Sequence, residues 1–125
     1  MTSLIENLKG QVLVHIELER EPDQLMFYSE CGRRWRMWHC QDCCENVVIE
    51  EIIGDLSDLV GAPILVAEER VSGGETKWGH ETWTFYELAS IKGSVTLRWL
   101  GESNGYYSEA VDFEELMSVE ESLRA

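Results

Sequence analysis

No stretch of this chain approaches the roughly 20 consecutive apolar residues that a helix needs to cross a bilayer. The start, Met1-Thr2-Ser3-Leu4-Ile5-Glu6, lacks the charged beginning and apolar centre of a secretory signal. Both absences lead to the expectation of a soluble, intracellular protein with no membrane association. Positive charge is scarce: 10 Lys and Arg stand against 24 Asp and Glu, a net charge of −14. Phosphate backbones and anionic lipids repel such a surface, so direct binding of nucleic acid is not expected. Only Arg33, Arg34 and Arg36 gather positive charge. Cysteine is limited to 4 residues, and in an intracellular chain these are expected as thiols. Cys43 and Cys44 are adjacent, a poor arrangement for a framework of bridges. Internal repeats, linkers and low-complexity tracts are also missing.

What is present suits a single folded domain over residues 1–125. The chain is 44% apolar and 10% aromatic, enough for a real core at this length. Ser3-Leu4-Ile5-Glu6 has the form of a capping box, with Gly10 as the stop of a short helix. Val12, Val14, Ile16 and Leu18 alternate with Leu13, His15, Glu17 and Glu19, the pattern of a half-buried strand. Glu21-Pro22-Asp23 turns the chain into a hairpin partner over 25–29, and Cys31-Gly32 turns it again into 34–39. There Trp35 and Met37 oppose Arg34, Arg36 and Trp38.

Residues 47–53 are β-branched and predict a strand. Asp55 caps one or two helical turns ending at Gly61. An extended run follows over 64–69. Ser72-Gly73-Gly74 makes 71–79 the expected mobile loop. Thr82-Trp83-Thr84-Phe85-Tyr86 is strongly strand-like, and Gly93 turns it into a partner over 94–100. Asp112-Phe113-Glu114-Glu115 reads as a second capping box opening an acidic helix to about Leu123. The expected class is mainly β (α+β): an antiparallel sheet domain, a twisted sandwich or open barrel, with short peripheral helices.

Chemistry is concentrated in His39-Cys40-Gln41-Asp42-Cys43-Cys44-Glu45. Cys40-x-x-Cys43 has the spacing of half a zinc site, with His39 or Cys31 as a further donor. A second pair is missing, so His39, Cys40 and Cys43 are weak metal candidates and no cofactor is expected. Cys43 or Cys44 with His39 as base and Asp42 or Glu45 as orienter would supply a nucleophile. Acidic surroundings oppose the thiolate, however. The simplest reading makes Cys43 and Cys44 small buried residues at the start of a strand.

A second concentration is Gly101-Glu102-Ser103-Asn104-Gly105-Tyr106-Tyr107-Ser108. Asn104-Gly105 marks a turn carrying hydroxyls, an amide and two phenols, the side chains that recognition loops favour. Trp83, Phe85, Arg98 and Trp99 precede it on the hairpin and could stack on a planar ring. Packing of these aromatics in a β core is the competing reading.

His39-x-Gln41-Asp42-Cys43-Cys44-Glu45-x-Val47, Gly54-Asp55-Leu56-x-Asp58-Leu59, Thr82-Trp83-Thr84-Phe85-Tyr86 and Gly101-Glu102-Ser103-Asn104-Gly105-Tyr106-Tyr107-Ser108 together resemble an uncharacterised family of small bacteriophage proteins. The resemblance runs over about residues 10–113. It comes with no assigned activity, but small phage accessory proteins often counter host immunity in the bacterial cytoplasm. It leaves His39, Asp42, Cys43 and Glu45 as the pattern, without Cys40.

The functional expectation is therefore a non-catalytic binder of a small ligand, such as a nucleotide immune signal. Rings would stack on Trp83, Phe85, Trp99, Tyr106 or Tyr107. Arg98, Arg34 and Arg36 would meet phosphates, across a homo-oligomer interface, while Ser103, Asn104, His39 and Asp42 supply hydrogen bonds. Two alternatives stand beside it: an acidic nucleic-acid mimic that inhibits a host defence protein such as a nuclease, and a small cysteine-dependent enzyme.

Overall fold

A computed structural model describes residues 5–116. Eight strands form two four-stranded antiparallel sheets, packed as a sandwich that does not close into a barrel. The first sheet has the order β1-β2-β3-β8, from Leu13–Glu19, Gln24–Ser29, Arg34–Trp38 and Asp112–Leu116. The second has the order β4-β7-β6-β5, from Asn46–Ile53, Gly93–Ser103, Gly79–Ser90 and Val66–Thr76. Two 3-10 turns, Ile5–Leu8 and Leu56–Leu59, lie between strands or before them. The mainly β sandwich expected from the sequence is the fold observed.

Alternation builds the core. Leu25, Phe27, Trp35, Met37 and Phe113 point inward from the first sheet; Tyr86, Leu88, Val95, Leu97 and Trp99 meet them from the second. Burying each large side chain of this kind contributes about 1.5–3 kcal/mol. Asp23 ties the two sheets together. Its buried carboxylate accepts the Ile49 amide at 2.7 Å beside the bulge that admits Glu50, and it pairs with Arg20 at 3.0 Å.

Four local expectations change. The alternation in β1 slips at a bulge between Leu13 and His15, so Leu13 is buried and Val14 is 53% exposed. Residues 71–79 are no loop: β5 runs through Thr76 and pairs residue by residue with β6. Gly73 fits because the strands lie close there; a side chain on it would stand 3.0 Å from Glu81 O. Asp112–Leu116 is a strand rather than a helix, because Phe113 enters the core opposite Met37. Its expected continuation to Leu123, like Ser3 of the first capping box, lies outside the described residues. That first box yields only the turn Ile5–Leu8. Asp55 does cap its turn, accepting the Ser57 amide at 2.9 Å.

Candidate functional site

The loop over 39–45 folds around one carboxylate. Glu45 accepts the amides of Asp42 at 2.8 Å and Cys43 at 2.9 Å, and the His39 Nε2 proton at 2.7 Å. Burial would raise the Glu45 carboxyl, but the Cys43 amide, the His39 ring and the Asp42 amide outweigh it and hold the pKa down to about 2. His39 Nδ1 donates to the Ala110 carbonyl at 2.7 Å. One ring nitrogen thus faces a backbone carbonyl and the other a carboxylate, and both are engaged inside the protein. His39 and Glu45 form a buried hydrogen-bonded pair, with neither ring nitrogen open to a substrate.

The cysteines differ from expectation. Cys43 and Cys44 are joined in a disulfide, and both are exposed on the surface of this loop rather than packed at a strand start. The turn that gathers two amides onto Glu45 sends its backbone inward and leaves the sulfurs outside. Cys31 and Cys40 are free and exposed. A cysteine nucleophile with His39 as base is not formed here. The weak metal set of His39, Cys40 and Cys43 is not formed either, since His39 is fully engaged and Cys43 is bonded to Cys44. Among the described residues no group of three or more His, Cys, Asp or Glu side chains is arranged to hold a metal.

A second carboxylate organises the neighbouring loop. Glu109, buried, accepts from His80 Nδ1 at 2.8 Å, from Thr82 Oγ1 at 2.7 Å and from Ser103 Oγ. Burial pushes its carboxyl up, while Ser103, Thr82 and His80 bring it net below the usual range. Gly101 makes this possible: a Cβ there would lie 2.7 Å from Glu109 Cβ and 2.8 Å from Glu109 O. The tip of the β5–β6 hairpin presses on the same loop, where a Cβ on Gly79 would collide with the Ser103 carbonyl oxygen.

A groove of about 380 Å³ opens at this end of the sandwich, lined by Cys44, Asn46, Trp78, His80, Glu102, Ser103 and Asn104, among others. Glu109 itself lines a second groove of about 260 Å³ with Glu69, Thr82, Thr84 and Ser108. The carboxylate therefore lines one groove directly and reaches the other through His80 and Ser103. Trp78 stands 86% exposed at the hairpin tip and Tyr106 88% exposed on the adjoining loop. Asn104 accepts the Tyr106 amide at 3.0 Å, which shapes that loop.

The two concentrations of polar residues in the sequence therefore meet in space, through Cys44 and Asn46 beside Ser103 and Asn104, and through His39 on Ala110. Asp42 and Tyr107 belong to the same pair of loops. The remaining candidates lie elsewhere. Trp99 is fully buried in the core and has no ring face for a ligand. Trp83, Phe85 and Arg98 share the outer face of the second sheet, with the Arg98 guanidinium 4.9 Å from the Trp83 ring. Arg34 and Arg36 sit on the outer face of the first sheet, where Arg36 covers Trp38 at 3.6 Å and lies opposite Glu114. Sequence reasoning missed Glu109, Thr82, His80 and Trp78. Only Trp78, between two strands and next to Gly79, carried a usable signal as an aromatic at a hairpin tip.

The family model for a domain of unknown function, DUF7448, matches residues 6–113. The chain belongs to the DUF7448 family. The DUF7448 match takes in every strand but the last residues of β8, and includes His39, Glu45, His80, Ser103 and Glu109. No curated protein and no solved structure matches the chain. No helix among the described residues is long and apolar enough to cross a membrane.

Proposed function

We propose that this protein binds a small planar ligand, a nucleotide in particular, in the groove at the end of the sandwich, without catalysis. One observation carries the reading: two almost fully exposed aromatics, Trp78 and Tyr106, belong to the loops that frame a groove of about 380 Å³ lined by amides, hydroxyls and an imidazole. Exposed rings of this size are unfavourable in water and form ready stacking platforms. Asn46, Asn104 and Ser103 offer donors and acceptors for a base edge. Lys77, over Trp78 at 5.3 Å, offers charge for a phosphate.

The proposed setting is a phage-infected bacterial cytoplasm, where such a binder would withdraw a nucleotide immune signal. Engagement of His39 by Glu45 and pairing of Cys43 with Cys44 support a role in binding rather than in turnover. Thermal-shift titration against mononucleotides, cyclic dinucleotides and cyclic ADP-ribose variants tests the reading. Stabilisation is expected for at least one. Trp78→Ala and Tyr106→Ala should each weaken that ligand about tenfold, as stacking is worth about 1–3 kcal/mol per base. The absence of any shift up to millimolar ligand would sink the proposal.

A second reading, an acidic inhibitor of a host nuclease, is favoured by the cross-strand pairs Glu68–Glu87 and Glu81–Glu102. Each pair sets like charges directly opposite one another. It requires that binding to the nuclease weaken steeply between 50 mM and 500 mM NaCl.

A further inference from the structure

We propose that the outer face of the β4-β7-β6-β5 sheet is a dimer interface. On it a second copy of this chain stacks about a two-fold axis running along the strands between β6 and β7. The register of the sheet carries this inference. Arg70 pairs with Phe85, Phe85 with Arg98, and Arg98 with Glu51, so these four form one row across the outer face. The next row reads Ser72, Trp83, Leu100 and Val48. A two-fold along the strands lays each row on itself in reverse order. Arg70 then meets Glu51 of the second copy, Phe85 meets its Arg98, and Trp83 meets its Leu100. Each of these contacts is made twice, as an isologous interface requires.

Shape and charge agree with that pairing. A depression of about 580 Å³ beside Phe85 is lined by Arg70, Val71 and Ser72, on the β5 side of the face. The opposite side carries Glu51, already held by Arg98, which the two-fold would bring onto the depression. Arg70 is exposed and has no ion pair or hydrogen bond among the described residues. A cation without a partner beside a hollow, and a carboxylate at the symmetry-related position, are complementary without any rearrangement. The centre of the face holds Trp83, Phe85 and Arg98; tryptophan and arginine are among the residue types that dominate interface energetics. Stacked sheets lie about 10 Å apart, a gap that Arg and Glu side chains span from opposite walls.

The face is about 19 Å across four strands and about 23 Å along them, so roughly 900 Å² of sheet is covered over both copies. That is near the roughly 1,000 Å² of the smallest specific interfaces, so association should depend on concentration. Glu81 and Glu102 would face their counterparts at one rim, where the twist of the sheets opens the contact to water. The groove with Trp78 meets that rim only at Glu102; Arg70, Glu51, Phe85, Arg98 and Trp83, which carry the interface, do not line it, so this inference stands independently of the proposed ligand.

Sedimentation equilibrium of the full chain from 1 µM to 500 µM reads the result. A mass approaching twice the 14.4 kDa of one chain is expected. Arg70→Glu and Glu51→Arg should each raise the dissociation constant at least tenfold, because both contacts become like-charge pairs. An equimolar mixture of the two variants should recover the dimer, since opposite charges then face each other at both contacts of a mixed pair. A wild-type monomer throughout the range, or a mixture no tighter than either variant alone, overturns the inference. Should either variant fail to fold, the double variant Ser72→Cys, Val48→Cys provides the second reading. A cross-link joining position 72 of one copy to position 48 of the other through a bismaleimide of about 8 Å span, matched to the roughly 10 Å between stacked sheets and mapped by mass spectrometry, supports the two-fold. Absence of that cross-link overturns it.

Discussion

Glu45 shows how a single buried carboxylate can govern a loop. It holds two amides and the His39 ring, and its pKa of about 2 lies below the roughly 4.3 of an unfolded glutamate. Between those values the unfolded chain binds more protons, so its contribution is complete above about pH 4.3 and is lost as pH falls through 2. Glu45→Gln should therefore lower Tm by several degrees at pH 7. The gap from wild type should close as pH falls towards 2, followed by circular dichroism; a gap constant with pH would refute the ionic role. Two tryptophans make the opposite comparison. Trp99 is fully buried and Trp83 half-buried on the outer face, so Trp99→Ala should cost about 3–5 kcal/mol in urea unfolding. Trp83→Ala, measured in dilute monomer, should cost much less. Trp99 was expected among the stacking residues, yet Val95, Leu97 and Trp99 alternate with Thr96 and Arg98, a pattern that puts the indole inside. Glu109 was not legible, because two of its partners lie 27 and 29 residues away and no local pattern announces them.

Among the elements, strands with apolar alternation were readable, and the misreadings fell where one local rule fits two structures. Ser72-Gly73-Gly74 has the composition of a loop, yet it completes β5 because β6 supplies a full ladder for it. Asp112-Phe113-Glu114-Glu115 has the composition of a helix cap. Pairing with β3 and burial of Phe113 decide for a strand, since tertiary contacts override a preference of about 1 kcal/mol. Hydrogen–deuterium exchange can separate the two descriptions. Amides of β5 that bond to β6 should be protected, whereas a mobile loop would exchange within seconds. The packing of β7 against residue 109 gives a sharper prediction. Gly101→Ala places a methyl where Glu109 lies, so it should cost about 1–3 kcal/mol. It should also displace the carboxylate from His80, which NMR would register as changed chemical shifts of the His80 ring. Retention of the wild-type His80 ring shifts would mean that the loop absorbs the methyl without moving Glu109.

At the scale of the whole molecule, a net charge of −14 sets two opposing responses to acid. Protonating exposed carboxylates relieves self-repulsion and stabilises the compact state. Protonating Glu45, Glu109, Asp55 and Glu115, all held below their ordinary values by bonds of the folded chain, removes stability instead. The first effect begins as pH falls through the ordinary carboxylate range, near about 4–5, and the second dominates below it. Tm should therefore rise slightly from pH 7 to about pH 5 and drop steeply below pH 4. Salt separates the two contributions at neutral pH. Raising NaCl from 20 mM to 500 mM screens repulsion among exposed carboxylates more than it weakens the buried His39–Glu45 pair. An increase in Tm of a few degrees is expected. A decrease would mean that surface ion pairs such as Arg33–Glu115, at 2.7 Å, outweigh the repulsion. Such pairs typically contribute below about 1 kcal/mol each, and among the described residues few stand against so many uncompensated acids.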